Sequence, residues 1–282
     1  MQIRNVSALR SGLTPGKSGA SSLSARRQRR RFPYSLSINS DFKRICLWYI
    51  IKAVISPRVM LSQPTLRGVA LEIAILLFDR FTALDAVGPY EVLRSTPGAK
   101  VKFTAKQSGP VRTDAGSLAI TADYALDDVA SPDILVIPGG PGQTALMDDD
   151  ELLDWVRRVH ANTKWTTSVC TGSLVLAAAG LLKGLRATSH WLALDQLQKY
   201  GAEPTGERVV IEGKIITAAG VSAGIDMALT LVAREFNDEI AQAIQLGIEY
   251  DPQPPFDAGS PSKAPAAIVE RLRSRSRFIL EG

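Results

Sequence analysis

Cysteine is almost missing from this chain: its 282 residues include two, Cys46 and Cys170, far apart and in unlike contexts. They build no disulfide framework, and such sparing use favours a reducing compartment. Histidine is as scarce. His160 and His190 have no partner at ligand spacing, so no metal is expected. Long apolar runs are missing too. The stretch Ile45 to Ile55 spans about eleven residues and contains Lys52, short of the roughly twenty that a bilayer requires. A secretory signal would place that stretch nearer the N-terminus, with a small-residue cleavage site behind it. Secretion and membrane insertion are therefore not expected.

Acidic side chains are lacking in one region only. Residues 1–60 carry twelve Lys or Arg against Asp41, a balance of +11; the other 222 residues carry 21 basic and 27 acidic side chains, a balance of −6. The basic character thus belongs to a leader, and the mildly acidic body has no electrostatic footprint for nucleic acid. Residues 1–44 are rich in Ser and Arg, with the run Arg26-Arg27-Gln28-Arg29-Arg30-Arg31 and no structural period, so disorder is expected. Three origins fit: an organelle transit peptide, a basic targeting or nucleic-acid arm, or translated upstream sequence with the natural start at Met60. The third is favoured, since Met60 stands shortly before the first core strand. The expected organisation is a leader over 1–64, one domain over 65–265, and a C-terminal helix or tail over 266–282. The expected location is the cytoplasm, or the mitochondrion if the leader is a transit peptide.

From residue 69 the pattern alternates strand and helix. Val69 to Phe78 and Ile134 to Ile137 are continuous apolar runs, as in strands buried on both faces. Shorter strands are expected over Val101–Ala105, Leu118–Thr121, Thr166–Val169 and Arg186–Thr188. Arg208–Ile211 and Lys214–Thr217 flank Glu212-Gly213, a hairpin signal. Helices are expected over Leu84–Leu93, Asp148–His160, Ser173–Ala179, Trp191–Tyr200, Ala223–Phe236, Asp238–Tyr250 and Ala266–Phe278. The alternation predicts a three-layer α/β fold, flavodoxin-like, with a mostly parallel sheet covered by helices on both faces.

Cys170 stands between the strand Thr166–Val169 and the helix that follows, where a sharp turn would lift a side chain above the sheet edge. Near the first free N–H groups of that helix, its thiol is expected to ionise at neutral pH. Gly172 removes the Cβ that would crowd such an elbow. The bland alternative is a buried structural cysteine. A reacting thiolate needs donors for developing charge and a group to move protons. Gly139, Gly140 and Gly142, at the end of a neighbouring strand, can offer bare backbone N–H groups, or can be a plain turn. Asp85, just past the first strand, is either an acid partner or a helix N-cap. Thr171 offers a hydroxyl and an N–H, or makes only a local bond. His190 follows a short strand and reads as a substrate-side residue or a polar cap.

The chain resembles the ThiJ/PfpI superfamily of the class I glutamine-amidotransferase-like fold. The resemblance rests on six strings: Phe81 to Pro89 (FTALDAVGP), Ile137-Pro138-Gly139-Gly140, Ser168-Val169-Cys170-Thr171-Gly172-Ser173, Arg186 to Trp191 (RATSHW), Ala223-Gly224-Ile225-Asp226, and Gln245 to Tyr250 (QLGIEY). They run in order over roughly residues 71–267. The resemblance implies Cys170 as nucleophile, Asp85 as its acid partner and Thr171 beside them, acting on a small molecule without a cofactor, in a homodimer. Within the superfamily the strings are most like the isonitrile-hydrating subgroup, which implies water addition to R–N≡C to give an N-substituted formamide. The thiolate would attack the isonitrile carbon, and water would open the thioimidate while Asp85 shuttles a proton to nitrogen. Two departures stand out. Thr171 follows the nucleophile where peptidase-like members place His, which disfavours proteolysis. The string Thr217-Ala218-Ala219-Gly220-Val221 has Ala where the hydratase group tends to show Gly.

Three rival readings follow. A non-catalytic or redox-sensing relative is one; the tail is too short for the helix-turn-helix pair of the AraC-type regulators that share this fold. A thiol-dependent glyoxalase or hydrolase is another. The third is a dinucleotide-binding oxidoreductase, since Gly140 to Ala145 fits G-x-G-x-x-A. Pro141 removes a donor from that loop, and Cys170 stands where a ribose-binding acid belongs.

Overall fold

The structure, a computed structural model, describes residues 70–276. The chain divides into two units, Met1–Gln63 and Pro64–Gly282, and everything below concerns the second. The expectations for the leader, Met60 and Cys46 included, lie outside the described residues, as do Val69 and the last residues of the tail.

Strands and helices alternate as the apolar pattern predicts: β1 (Leu71–Leu76), α1 (Ala83–Leu93), β2 (Ala99–Ala105), β3 (Gly109–Arg112), β4 (Ala119–Ala122), β5 (Tyr124–Ala125), β6 (Ile134–Ile137), α2 (Gln143–Met147), α3 (Asp150–Asn162), β7 (Trp165–Val169) and α4 (Gly172–Ala178). There follow β8 (Arg186–Ala187), β9 (Glu203–Pro204), β10 (Val209–Glu212), β11 (Ile215–Ala218), α5 (Ala223–Glu235), α6 (Asp238–Gly247) and α7 (Ala266–Arg273). The main sheet has seven strands in the order β10-β11-β7-β6-β1-β2-β5. Its ladders are parallel except for the β10–β11 hairpin. Ile73, Ile75, Ile134, Leu135 and Ile137 are wholly buried, as central parallel strands require. α1, α5 and α6 pack together on one face; α2, α3 and α4 pack on the other. This is the expected three-layer α/β architecture.

Local differences have local causes. β8 pairs only with β9 in a separate two-stranded sheet, so the predicted strand Arg186–Thr188 is not part of the main one. The helix predicted over Trp191–Tyr200 is a 3-10 stretch, Leu194–Tyr200. Upstream of it the Leu192 N–H is taken by the ring of His190, a side-chain bond that competes with helix formation. Gly201 ends the stretch with a left-handed φ of 76°. The hairpin turn falls at Gly213-Lys214, one residue later than predicted. β3, β5, β9 and α2 have no long apolar period, and the pattern missed them.

Candidate active site

β7 ends at Val169, and the chain turns at once into α4 through Cys170, whose φ is +59°. A left-handed backbone at a residue with a Cβ costs on the order of 1–3 kcal/mol, so the surroundings must impose it. They do so through the backbone. The Cys170 N–H donates to the carbonyls of Ala218 and Ala219 at the end of β11 (3.1 and 2.9 Å), and Ser189 and Ser173 hydroxyls donate to its carbonyl. A Cβ on Gly172 would collide with the Ile137 carbonyl oxygen, so the tight elbow expected at that glycine is what the structure contains.

Asp85 reaches the elbow from α1. It does not cap that helix: Thr82 is the N-cap residue, and the Asp85 carboxyl instead accepts the Gly139 N–H at 2.9 Å. The Gly139 carbonyl in turn accepts the Thr82 N–H at 2.8 Å. A Cβ on Gly139 would stand 2.9 Å from the Cys170 Cβ, so the loop after β6 passes directly against Cys170. The Thr171 hydroxyl accepts the Gly140 N–H at 3.0 Å and fastens the same loop to the elbow. The structure thus brings Cys170, Asp85, Thr171, Gly139 and Gly140 together.

Cys170 and Asp85 are both at 0% exposure, and this changes the electrostatics expected from sequence. Burial raises the Asp85 carboxyl to about 7, with the Asp114 charge adding to it; the Gly139 N–H and the Cys170 thiol pull the other way. Burial, then the negative charge of Asp85, pushes the Cys170 thiol well above its ordinary range. The expectation that a helix terminus holds this sulfur as thiolate at neutral pH is therefore corrected. Desolvation outweighs the donors, which are the backbone N–H groups of Val221 and Thr171. At neutral pH the thiol keeps its proton, and the carboxyl is poised near half ionisation. One Asp85 oxygen, Oδ1, is buried without a hydrogen-bond partner.

The glycine loop also needs correction. The N–H groups of Gly139, Gly140 and Gly142 are not bare: they go to Asp85, Thr171 and the Arg80 carbonyl. Gly142 packs against Asp79, on the β1 side. The donors at the sulfur are instead Thr171 N–H and Val221 N–H, and sequence reasoning missed the second. Val221 follows β11, in sequence far from Cys170, and its φ of +22° gave no local signal in a β-branched residue. His190 is placed against Gly220, its ring stacked on Trp191 (centroids 6.0 Å apart), with Nδ1 accepting the Leu192 N–H at 3.2 Å. Both belong to the lining of a cavity of about 410 Å³, together with Ser189, Ala219 and Val221. No cluster that could hold a metal occurs among the described residues.

The sequence and the fold both have known counterparts. An isonitrile hydratase of Pseudomonas putida is 45% identical over 207 residues, covering 73% of this chain and 90% of that protein. An HTH-type transcriptional regulator of Pseudomonas aeruginosa is 36% identical over 135 residues, 47% of this chain and 40% of the regulator. A solved ThiJ/PfpI family protein from Pseudomonas syringae superposes with a TM-score of 0.71 at 41% identity, over 78% of this chain and 93% of that one. The model of the DJ-1/PfpI family matches residues 71–234, which carry the elbow, Asp85 and the glycine loop; the chain belongs to the DJ-1/PfpI family.

Proposed function

We propose that this chain is an enzyme that hydrates isonitriles to N-substituted formamides through Cys170. Its similarity to isonitrile hydratase supports the reaction, and one observation carries the mechanism: a buried carboxyl, Asp85, raised to about 7 beside a buried thiol, Cys170, that burial holds protonated. The ionised Asp85 takes the thiol proton as sulfur attacks the isonitrile carbon, then delivers that proton to the same carbon. The product is R–N=CH–S–Cys170, with no net change of protons. Water next adds to this carbon; Asp85 accepts one of its protons and passes it to the nitrogen, so the carboxylate is restored. The C–S bond then breaks with its electron pair returning to sulfur. The hydroxyl proton passes through Asp85 to the thiol, releasing R–NH–CHO. The N–H groups of Val221 and Thr171 favour the sulfur anion as it forms and as it leaves. We propose further, from the family resemblance and the cysteine usage, a homodimer acting in the cytoplasm.

The test is formamide production from an alkyl isonitrile, followed by NMR. Cys170→Ala is expected to lose at least about a thousandfold in rate. The competent pair carries one proton, so kcat/KM should rise as pH passes about 7 and Asp85 ionises. A rate that falls over that range would reverse the proton assignment. A second reading, a sensor without turnover, draws on the complete burial of the thiol. It is preferred if no isonitrile is consumed.

A further inference from the structure

A cavity beside the elbow is lined by residues that also hold Cys170. Ser189 donates its hydroxyl to the Cys170 carbonyl, and the Ala219 carbonyl accepts the Cys170 N–H. Both residues also line the cavity of about 410 Å³, as does Val221, whose N–H reaches the Cys170 sulfur, so the cavity adjoins the elbow. The volume is in the range of small-molecule sites. Its apolar surface comes from Trp191, Leu194, Ala219, Val221 and Pro261. The Arg208 guanidinium in the lining is already paired with Asp226 and donates to Ser222, so its charge is neutralised in place.

The outer side of this cavity is built by the chain beyond the family match, which ends at residue 234. Tyr250 donates its hydroxyl to Asp226 Oδ1 at 3.2 Å, fixing the root of the arm beside Arg208. Gly259, Ser260 and Pro261 line the cavity at mid-arm. The Lys263–Asp257 ion pair closes the loop around them, and α7 then carries the Arg273 guanidinium to 5.8 Å above the Trp191 ring. The arm is therefore held at both ends around one cavity. None of the α7 side chains is buried, so a core does not explain why it lies there.

We infer that the C-terminal arm, residues 250–273, forms the outer wall of the site for R and sets the size of uncharged substituent that the enzyme accepts. The inference rests on the isonitrile reading of Cys170. The arm makes no bond to the reacting atoms; it is a positioning and specificity element, and its effect falls on the choice of R.

The test uses the full chain and compares kcat/KM for benzyl isonitrile with that for methyl isonitrile. Leu194→Trp fills the cavity from the domain side, and Ser260→Phe fills it from the arm, a segment whose substitution leaves the core intact. Each is expected to lower the benzyl-to-methyl ratio by about tenfold or more. Arg273→Ala, which frees the tip of the arm from Trp191, should also shift the ratio. A ratio unchanged within about twofold in both filled variants overturns the inference. If the protein consumes no isonitrile, the reaction assigned to Cys170 fails, and the cavity is judged separately by titrating N-benzylformamide against tryptophan fluorescence. Weaker binding in both filled variants supports the arm as a wall of the site; equal binding overturns it.

Discussion

The two ends of β7 contain similar polar groups and use them in opposite ways. At its start, His160 Nδ1 lies 2.9 Å from the Thr166 hydroxyl, which lies 2.8 Å from that of Thr163. The Lys214 ammonium donates to the carbonyls of His160, Ala161 and Thr163, closing the C-terminal end of α3. These groups are spent on structure: the side chains satisfy one another, and Lys214 satisfies carbonyls that the helix end would otherwise leave without partners. At the other end, Cys170 is strained, the thiol is proton-bearing and desolvated, and Asp85 Oδ1 has no hydrogen-bond partner. The contrast teaches where chemistry can occur. Capacity left unmatched in a buried place is costly to stability and available to a substrate.

Asp85→Asn should break that contrast most. It removes the proton carrier while keeping an oxygen for the Gly139 N–H, and activity should drop by roughly 10²–10⁴-fold in the formamide assay. The same change should alter stability with pH. The folded-state pKa of Asp85 is raised from its ordinary 3.8 to about 7, so the folded state binds the extra proton between those values. Its favourable contribution is complete below the unfolded pKa and is lost as pH rises through about 7. Unfolding free energies from urea titration should therefore fall from acid to neutral pH in the parent, by on the order of 4 kcal/mol at most, and fall less in Asp85→Asn.

Gly172→Ala tests the elbow itself. The obstacle to its methyl group is the Ile137 carbonyl, backbone that cannot turn aside, so a loss near 3 kcal/mol is expected in chemical denaturation. Thr171→Val sharpens the comparison by leaving the buried Gly140 N–H without its acceptor, a cost of roughly 1–2 kcal/mol with the fold retained. At the opposite end of β7 the effect should be smallest. Lys214→Met should cost about 0.5–1 kcal/mol through the loss of a cation at a helix C-terminus, and leave turnover alone. The His160 pKa, which burial lowers first and the Lys214 charge second, should move upward in that variant when followed by NMR.

Much of this fold was legible because its central strands are buried on both faces. The run Ile134–Ile137 is a strand with the predicted bounds, and α5 and α6 agree with their predicted bounds to within a few residues. Elements held by side-chain competition or by two-residue ladders were not legible: the 3-10 stretch after His190 and the β8–β9 pair depend on contacts that no periodicity carries. At the candidate site, Cys170 announced itself through the strand, cysteine and glycine that make an elbow. The Val221 N–H did not, because its approach to sulfur depends on β11 lying beside β7.

The order of residues alone determined that Cys170 would sit on a strand-to-helix turn near Gly172, and that Asp85 would follow the first strand. The tertiary structure decided the charge on that cysteine. A helix terminus offers a donor or two, which local sequence reveals; burial removes a whole shell of water, and only the packed fold determines how much remains.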